Sequence, residues 1–401
     1  MLSEQSAAVV RATARVVAEH AEAITAVFYP RMLAAHPELR RVFNAGNQAN
    51  GEQSRALAAS VVAYAVRLID PEAPSFAPVL ERIAHKHVSL GIRPEQYTIV
   101  GSHLIAAVAE VLGDAVTPEV AAAWDEVYWL FAVELIAAEA RLYERGGIDP
   151  AHPFTAWRVT ERVEETADVV SLVLAPADGR PVPAFVPGQY VTVAVDLPDG
   201  RRQPRQYTVS GRTDEGLRIT VRRVPAEGDR PAGAVSTHLH EAVGVDDVLE
   251  VSAPAGDLTL PAGDGPLVLV SAGIGITPIV AVLQDVAAHT PARPVVLAHA
   301  DRAPATHALR GEVARLAGTL ADACLLTWYE GAAEGAGGVR AGRMDLSDLP
   351  LAEGVQVLMC GPLPFMRDAR ATLLRRGVPT TAIRYEVFGP DLWAQTPPDA
   401  D

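Results

Sequence analysis

Leu80-Glu81-Arg82-Ile83-Ala84-His85-Lys86-His87-Val88-Ser89-Leu90-Gly91 leads into Ile92-Arg93-Pro94-Glu95-Gln96-Tyr97, and this stretch decides the fold of the first third of the chain. Leu80, Ile83, His87 and Leu90 recur at i, i+3, i+7 and i+10, the spacing of one helix face. His87 therefore shares an interior face with apolar residues. His85 falls on another face and is expected in solvent. Taken by itself, His87 is more readily a core histidine satisfied by a carbonyl than a metal ligand, because imidazole has many buried roles. The rest of the chain shifts that balance.

At 401 residues the chain is long enough for two or three domains, taking about 150 residues for each. A hydrophobic content of 49% is ample for buried cores. The formal net charge of −15 repels phosphate backbones, and no basic patch offsets it, so no nucleic-acid partner is expected. Two cysteines, Cys324 and Cys360, stand far apart. They exclude a disulfide framework, a cysteine-rich zinc site and a four-cysteine iron–sulfur cluster. Early charge, with Arg11 and Arg15, breaks any signal-peptide pattern. Gly265 to Gln284 is an uncharged stretch of membrane-spanning length, but Gly273, Gly275 and Pro278 interrupt it. A strand, a glycine turn and a helix fit it better. A cytoplasmic, monomeric protein with no membrane span is expected.

Residues 1–145 carry helical periodicity almost throughout. Ser3 is an N-cap candidate for a helix running to His20. Pro30 is expected to bend a second helix, since it removes one backbone donor and crowds the carbonyl of Ala26. A short helix ends at Arg41-Val42-Phe43-Asn44; further helices are expected over 53–68, 94–113 and 118–145.

Phe28-Tyr29, Phe43-Asn44, Asn50-Gly51-Glu52-Gln53, Leu57, Lys86-His87 and Pro94-Glu95-Gln96-Tyr97 together resemble the globin domain of bacterial flavohaemoglobins. The resemblance implies that His87 is the proximal ligand of haem iron. It implies that Tyr29, Gln53 and Leu57 line the distal side and that Phe43 packs on the porphyrin. Glu139, in Ala137-Ala138-Glu139-Ala140-Arg141, matches the family glutamate that would join His87 and Tyr97. A carboxylate on an iron-bound histidine orients the ring and enriches it in electrons. Glu139 could equally be a solvated helix-surface residue, as Glu134 and Glu144 could be. Tyr29, from its local sequence, could be a core tyrosine with its hydroxyl at the surface.

Gly146-Gly147-Ile148-Asp149-Pro150-Ala151-His152-Pro153 reads as a linker over 146–153. From Thr155 the periodicity turns towards two: Val159, Val163, Val169-Val170, Leu172 and Leu174 alternate with polar residues, and Asp178-Gly179 and Asp199-Gly200 mark turns. An antiparallel β-barrel over 154–262 is expected. Pro187-Gly188-Gln189-Tyr190, Arg205-Gln206-Tyr207-Thr208 and Gly233-Ala234-Val235-Ser236 resemble, in order and spacing, the FAD site of ferredoxin-reductase-like proteins. Arg205 can neutralise the pyrophosphate, Tyr207 can lie on the isoalloxazine, and the Thr208 hydroxyl can reach the reactive flavin nitrogen. Free N–H groups at Gly233, Val235 and Ser236 suit phosphate oxygens.

Leu267-Val268-Leu269-Val270-Ser271-Ala272 has the composition of a buried parallel strand, opening an α/β parallel-sheet domain over 263–401. It runs into Gly273-Ile274-Gly275-Ile276-Thr277-Pro278, where Pro278 replaces the third glycine of the dinucleotide fingerprint. The turn resembles that of ferredoxin-reductase-type NAD(P)H domains. Strands are expected over 294–300, 324–329 and 355–360. Cys360-Gly361-Pro362 ends one of them, so Cys360 would sit near the nicotinamide, or else be an inert buried cysteine. Tyr385-Glu386-Val387-Phe388-Gly389-Pro390 matches the family's C-terminal strand, which implies that Phe388 covers the flavin. The same resemblance places Lys86 and Glu386 beside the haem–flavin gap. Asp301 could take ribose hydroxyls, while Arg302 beside it could take a 2′-phosphate.

The resemblance implies a nitric oxide dioxygenase that uses haem, FAD and NAD(P)H, takes O₂ and nitric oxide as substrates, and detoxifies nitric oxide. Two other classes fit the same parts. One is an oxygen carrier or gas sensor with a reductase that keeps iron ferrous. The other is an NAD(P)H reductase for an external acceptor.

Overall fold

The computed structural model describes residues 2–42, 52–213, 215–228, 231–331 and 338–388, with backbone alone over 52–55. One compact unit holds the described residues up to Phe154 together with Pro198–Pro204; the other holds Thr155–Leu197 and the described residues from Arg205 to Phe388.

The first unit is helical: α1 Glu4–Glu19, α2 Ala21–Ala35, a 3₁₀ turn at Pro37–Arg41, α3 Glu52–Ile69, α4 Ala77–Leu90, α5 Pro94–Leu112 and α6 Pro118–Gly146. Local chemistry sets the ends. Ser3 and Thr117 cap α1 and α6 through hydroxyls that accept from Ser6 N and Val120 N. Gly91 (φ 73°) and Gly147 (φ 59°) close α4 and α6 in the left-handed conformation. α2 continues as one helix across Pro30. Phe28, Met32, Trp124, Phe131 and Leu135 are among the buried residues of the core.

On α4 the fully buried residues are Ala84, Val88 and Ser89; Leu80, Ile83, His87 and Leu90 are only half-buried. The expected face is thus turned by about one residue. α4 packs on α6, and small side chains admit the close approach while larger ones flank it. His85 is half-buried rather than solvated. Among the described residues, Pro94–Ala115 is the one helix long and apolar enough to cross a membrane; here its Leu104, Ala107 and Val108 lie in the core.

The second unit begins with a closed antiparallel barrel in the order β1-β2-β5-β4-β3-β6: β1 Phe154–Thr166, β2 Val169–Pro176, β3 Tyr190–Asp196, β4 Arg202–Arg212, β5 Leu217–Arg222 and β6 Val248–Ser252. Strict alternation holds poorly, because β2 and β3 are buried at nearly every position, while Val163 is exposed. A helix, α7 Ala234–Glu241, precedes β6.

Next comes a six-stranded parallel sheet, ordered β10-β9-β8-β7-β11-β12. Its elements are β7 Leu267–Ala272, α8 Ile276–His289, β8 Val295–Asp301, α9 Arg310–Ala317, β9 Ala323–Tyr329, β10 Val339–Ala341, β11 Gln356–Cys360, α10 Leu363–Arg375 and β12 Ile383–Glu386. Strand order reverses between β7 and β11, so the carboxyl ends of those two strands frame the crevice where open sheets take ligands. Gln284 of α8 and Arg218 of β5 both bond Glu312 of α9, at 2.6 and 2.7 Å, tying barrel to sheet. β12 stops at Glu386, so Val387 and Phe388 follow the expected terminal strand instead of lying in it.

Candidate functional site

Three helices of the first unit converge on one imidazole. His87 Nδ1 lies 2.7 Å from Glu139 Oε1 of α6 and 2.9 Å from the Tyr97 hydroxyl of α5, and Tyr97 donates to the same Oε1 at 2.5 Å. Glu139 is 2% exposed, so it is no surface carboxylate. A carboxylate acceptor makes Nδ1 the protonated nitrogen of the ring, which leaves a lone pair on Nε2, the form in which an imidazole can bind a metal. Burial and the Glu139 charge push the Tyr97 phenol well above its ordinary range, so it remains a donor. Glu139 Oε2 is buried and has no hydrogen-bond partner among the described residues.

A supporting contact was not legible in the sequence. Tyr128 of α6 donates to Tyr97 O at 2.5 Å, its ring lying over Gly101 of α5. A Cβ at Gly101 would come within 2.4 Å of that ring, so glycine there lets Tyr128 brace Tyr97. Tyr143 donates to Ile92 O at 3.0 Å, fixing the α4–α5 junction to α6.

Tyr29 lies buried on α2, edge-on to Phe28 at 4.7 Å, and burial pushes its phenol up, away from ionisation. Leu57 of α3 is half-buried and, with Ile24, Val61, Leu104 and Val108, lines an apolar cleft of about 30 Å³. Phe43 and the side chain of Gln53 lie outside the described residues. Lys86 is half-buried on α4.

In the barrel, Tyr190 packs its ring over Gly256, where a Cβ would stand 3.1 Å away. Gly188 has φ 103°, and a Cβ there would fall 1.8 Å from Leu258 O, so only glycine fits this entry to β3. Arg205, Gln206, Tyr207 and Thr208 follow one another on β4. Gln206 donates to Thr192 Oγ1 at 3.2 Å. Burial lowers the pKa of Arg205 and raises that of Tyr207. Thr208 Oγ1 is buried without a partner among the described residues. Val235 is in the core at the start of α7. Ser236 Oγ is spent on its own turn, donating to Gly233 O at 3.0 Å and accepting from Val224 N at 3.2 Å. The hydroxyl in that turn with no partner among the described residues belongs to Thr237, which sequence reasoning missed.

At the sheet's switch point, a cavity of about 500 Å³ is lined by Gly273, Ile274, Pro362, Arg222, Arg302 and Arg343, among others. Gly273 (φ 54°) opens a 3₁₀ turn, and Gly275 sits so close to β11 that a Cβ would lie 2.3 Å from Cys360 O. Ile276, Thr277 and Pro278 are buried in the first turn of α8, where Thr277 Oγ1 donates to Ile274 O at 3.0 Å. Cys360 is fully buried at the end of β11, and burial raises its thiol pKa. Gly361 packs against Phe365, leaving no room for a Cβ. Glu386 ends β12 opposite Cys360, Val387 is half-buried, and the Phe388 ring is 47% exposed. Gly389 and Pro390 lie outside the described residues.

Comparison with known proteins agrees with this layout. Residues 26–135 match the globin family model, and residues 269–371 match the oxidoreductase NAD-binding domain. The chain is 44% identical over 404 residues to a flavohemoprotein of Bordetella parapertussis, covering 97% of this chain and 99% of that one. A flavohemoprotein of Rhizobium meliloti is 43% identical over 408 residues, covering 98% and 100%. Among solved structures, the flavohemoglobin of Malassezia yamatoensis with bound FAD and heme aligns with a TM-score of 0.88 at 35% identity, covering 97% of this chain and all of that one. The FAD/NAD-binding domain of the nitric oxide dioxygenase of Vibrio cholerae aligns with a TM-score of 0.55 at 36% identity, over 59% of this chain and 99% of its own.

Proposed function

We propose that this chain, which belongs to the flavohemoprotein family, is a nitric oxide dioxygenase with haem held by His87, FAD held by the barrel and NAD(P)H as electron donor. The overall reaction joins nitric oxide, O₂ and one electron into nitrate. Bound haem supplies the iron where the two gases react, and bound FAD converts a two-electron hydride into single electrons.

The observation that carries this reading is the His87–Glu139–Tyr97 arrangement. A buried carboxylate 2.7 Å from Nδ1 fixes the tautomer, orients the ring and raises the basicity of Nε2. An oxygen carrier gains little from such a ligand; an enzyme that activates O₂ gains directly. Tyr29, held neutral by burial, is the donor suited to a small, partly negative substrate. Leu57, on an apolar cleft of the same helical unit, adds no competing ligand. In the barrel, Arg205 neutralises pyrophosphate, and the unpartnered Thr208 hydroxyl finds its partner on the flavin. The domains fall at 1–145, 154–262 and 263–401, with 146–153 as the joint.

The test is anaerobic reduction of the purified protein with NADH or NADPH, then addition of O₂ and nitric oxide, with nitrate measured. Multiple-turnover nitrate formation is expected. His87→Ala is expected to abolish it while NAD(P)H still bleaches the flavin absorbance. Stoichiometric O₂ uptake without nitrate would identify a carrier instead, and nitrate at the wild-type rate from His87→Ala would refute the ligand assignment.

A further inference from the structure

NADH and NADPH differ by one 2′-phosphate, and in dinucleotide folds an acid at the end of the second strand takes ribose hydroxyls and repels that phosphate. Here the acid at that place is Asp301, the last residue of β8, with Arg302 next to it. We propose that Arg302 selects NADPH by binding the 2′-phosphate, and that Asp301 takes no part in nucleotide recognition. This inference rests on the assignment of the second unit as a nicotinamide-nucleotide oxidoreductase.

The Asp301 carboxylate is already committed. Its Oδ1 accepts from Thr306 Oγ1 at 2.5 Å and from Arg302 N at 2.7 Å. Its Oδ2 lies 3.7 Å from His299 Nε2, an ion-pair distance and too long for a hydrogen bond. The side chain is only 6% exposed. Behind it, His299 is fully buried and stacked on His307 with ring centroids 4.1 Å apart. His299 Nδ1 is 2.9 Å from Ser271 Oγ, and His307 Nδ1 is 2.8 Å from the Tyr329 hydroxyl. Turning Asp301 out to a ribose would break two short hydrogen bonds, to the Thr306 hydroxyl and the Arg302 N–H. Buried polar groups resist that loss.

Arg302 is the freer of the two side chains. Both residues line the cavity that the Gly273 turn opens into, but the Asp301 side chain is only 6% exposed and the Arg302 side chain 61%. Its nearest acid is Asp168 Oδ2, at 3.9 Å, and Arg222 Nε shares that same oxygen at 3.3 Å. Two guanidinium groups therefore share one carboxylate oxygen, and it saturates neither of them. A guanidinium with donors to spare is the side chain best suited to a phosphate dianion. The cavity also carries Glu330, Asp345 and Asp368. Asp345 already accepts from Ser347 N at 2.8 Å. Glu330, at the end of β9, is the acid that could read a ribose in place of Asp301, and the test separates the two outcomes.

The purified, flavin-loaded protein is titrated calorimetrically with 2′,5′-ADP and with 5′-AMP, and flavin reduction by NADPH and by NADH is followed by stopped flow. The 2′-phosphate is expected to tighten binding roughly 10- to 100-fold, the scale of one charge-assisted hydrogen bond. Arg302→Ala is expected to erase most of that ratio and to leave 5′-AMP binding in place. Asp301→Asn is expected to leave the ratio unmoved. Faster reduction by NADH, an unchanged ratio in Arg302→Ala, or a selective loss of NADH binding in Asp301→Asn would each overturn the inference. Reduction by neither nucleotide would overturn the oxidoreductase assignment itself, and the inference with it.

Discussion

Glutamine in place of Glu139 keeps the shape of the side chain and removes a charge 2.7 Å from His87 Nδ1. A hydrogen bond to a charged group contributes about 1.5–3 kcal/mol, against about 0.5–1.5 kcal/mol for a neutral one, so the change weakens this contact by about 1.2 kcal/mol, close to a factor of ten. With haem bound, the ring carries more positive character when the iron is ferric. The lost carboxylate therefore costs the ferric form more, and the midpoint potential rises. A factor of ten between the two forms is about 59 mV for one electron, which sets the expected shift. The amide brings a second cost. If its carbonyl stays where Oε1 accepts from Tyr97 and His87, its NH₂ takes the place of Oε2, which is buried without a partner among the described residues. An unsatisfied buried donor costs about 1–3 kcal/mol, so the thermal midpoint should fall by several degrees. Spectroelectrochemical titration of the Soret band reads the potential, and calorimetry reads the midpoint. A potential that stays put or falls in Glu139→Gln, at wild-type haem content, would refute the claim that Glu139 acts through His87.

Two further perturbations probe the sheet domain. Gly275→Ala places a Cβ 2.3 Å from Cys360 O, so the β7–α8 turn must retreat from β11 by about 1 Å, a strain on the order of 1–3 kcal/mol. A lower urea midpoint together with weaker NAD(P)H binding is expected; an unchanged midpoint would show that the contact is not tight. His307 is held neutral by burial, with its pKa brought down to about 3 from the usual 6.5. Because the folded value lies below the unfolded one, the associated stability is complete above pH 6.5 and is lost as pH falls towards 3, by up to about 1.4 kcal/mol per pH unit. The urea midpoint should thus drop between pH 7 and pH 5, and His307→Asn should flatten that slope; equal slopes in the two proteins would mean that His307 does not stay neutral.

Much of the layout was legible because it is local. The strand, glycine turn and helix over 267–289 follow from a β-branched run, two glycines and an apolar helix, and they stand where expected. Periodicity put His87 on the correct helix but did not find the buried sector, because close packing on α6 is set by Ala84 and Val88. The brace from Tyr128 to Tyr97 could not be read, since it needs a glycine and a ring on different helices to meet. Ser236 and Thr237 are adjacent hydroxyls, and only the distant Val224 N–H shows which one is already used.

Asp301 and Arg302 mark the boundary of what pattern alone can settle. In a strand, successive side chains go to opposite faces, and residues two apart share one. His299, Asp301 and the apolar Leu297 therefore fall on one side of β8, and Arg302 is the first residue beyond the strand. The burial of His299 then decides the matter: the acid two residues on is held at the cavity wall with its side chain almost covered, while the arginine keeps an exposed side chain in the same cavity. The local sequence already contained that alternation. It lacked the fact that the far side of His299 is closed by His307 and Tyr329, residues from a loop and from the neighbouring strand, and so it could not say which face was inside.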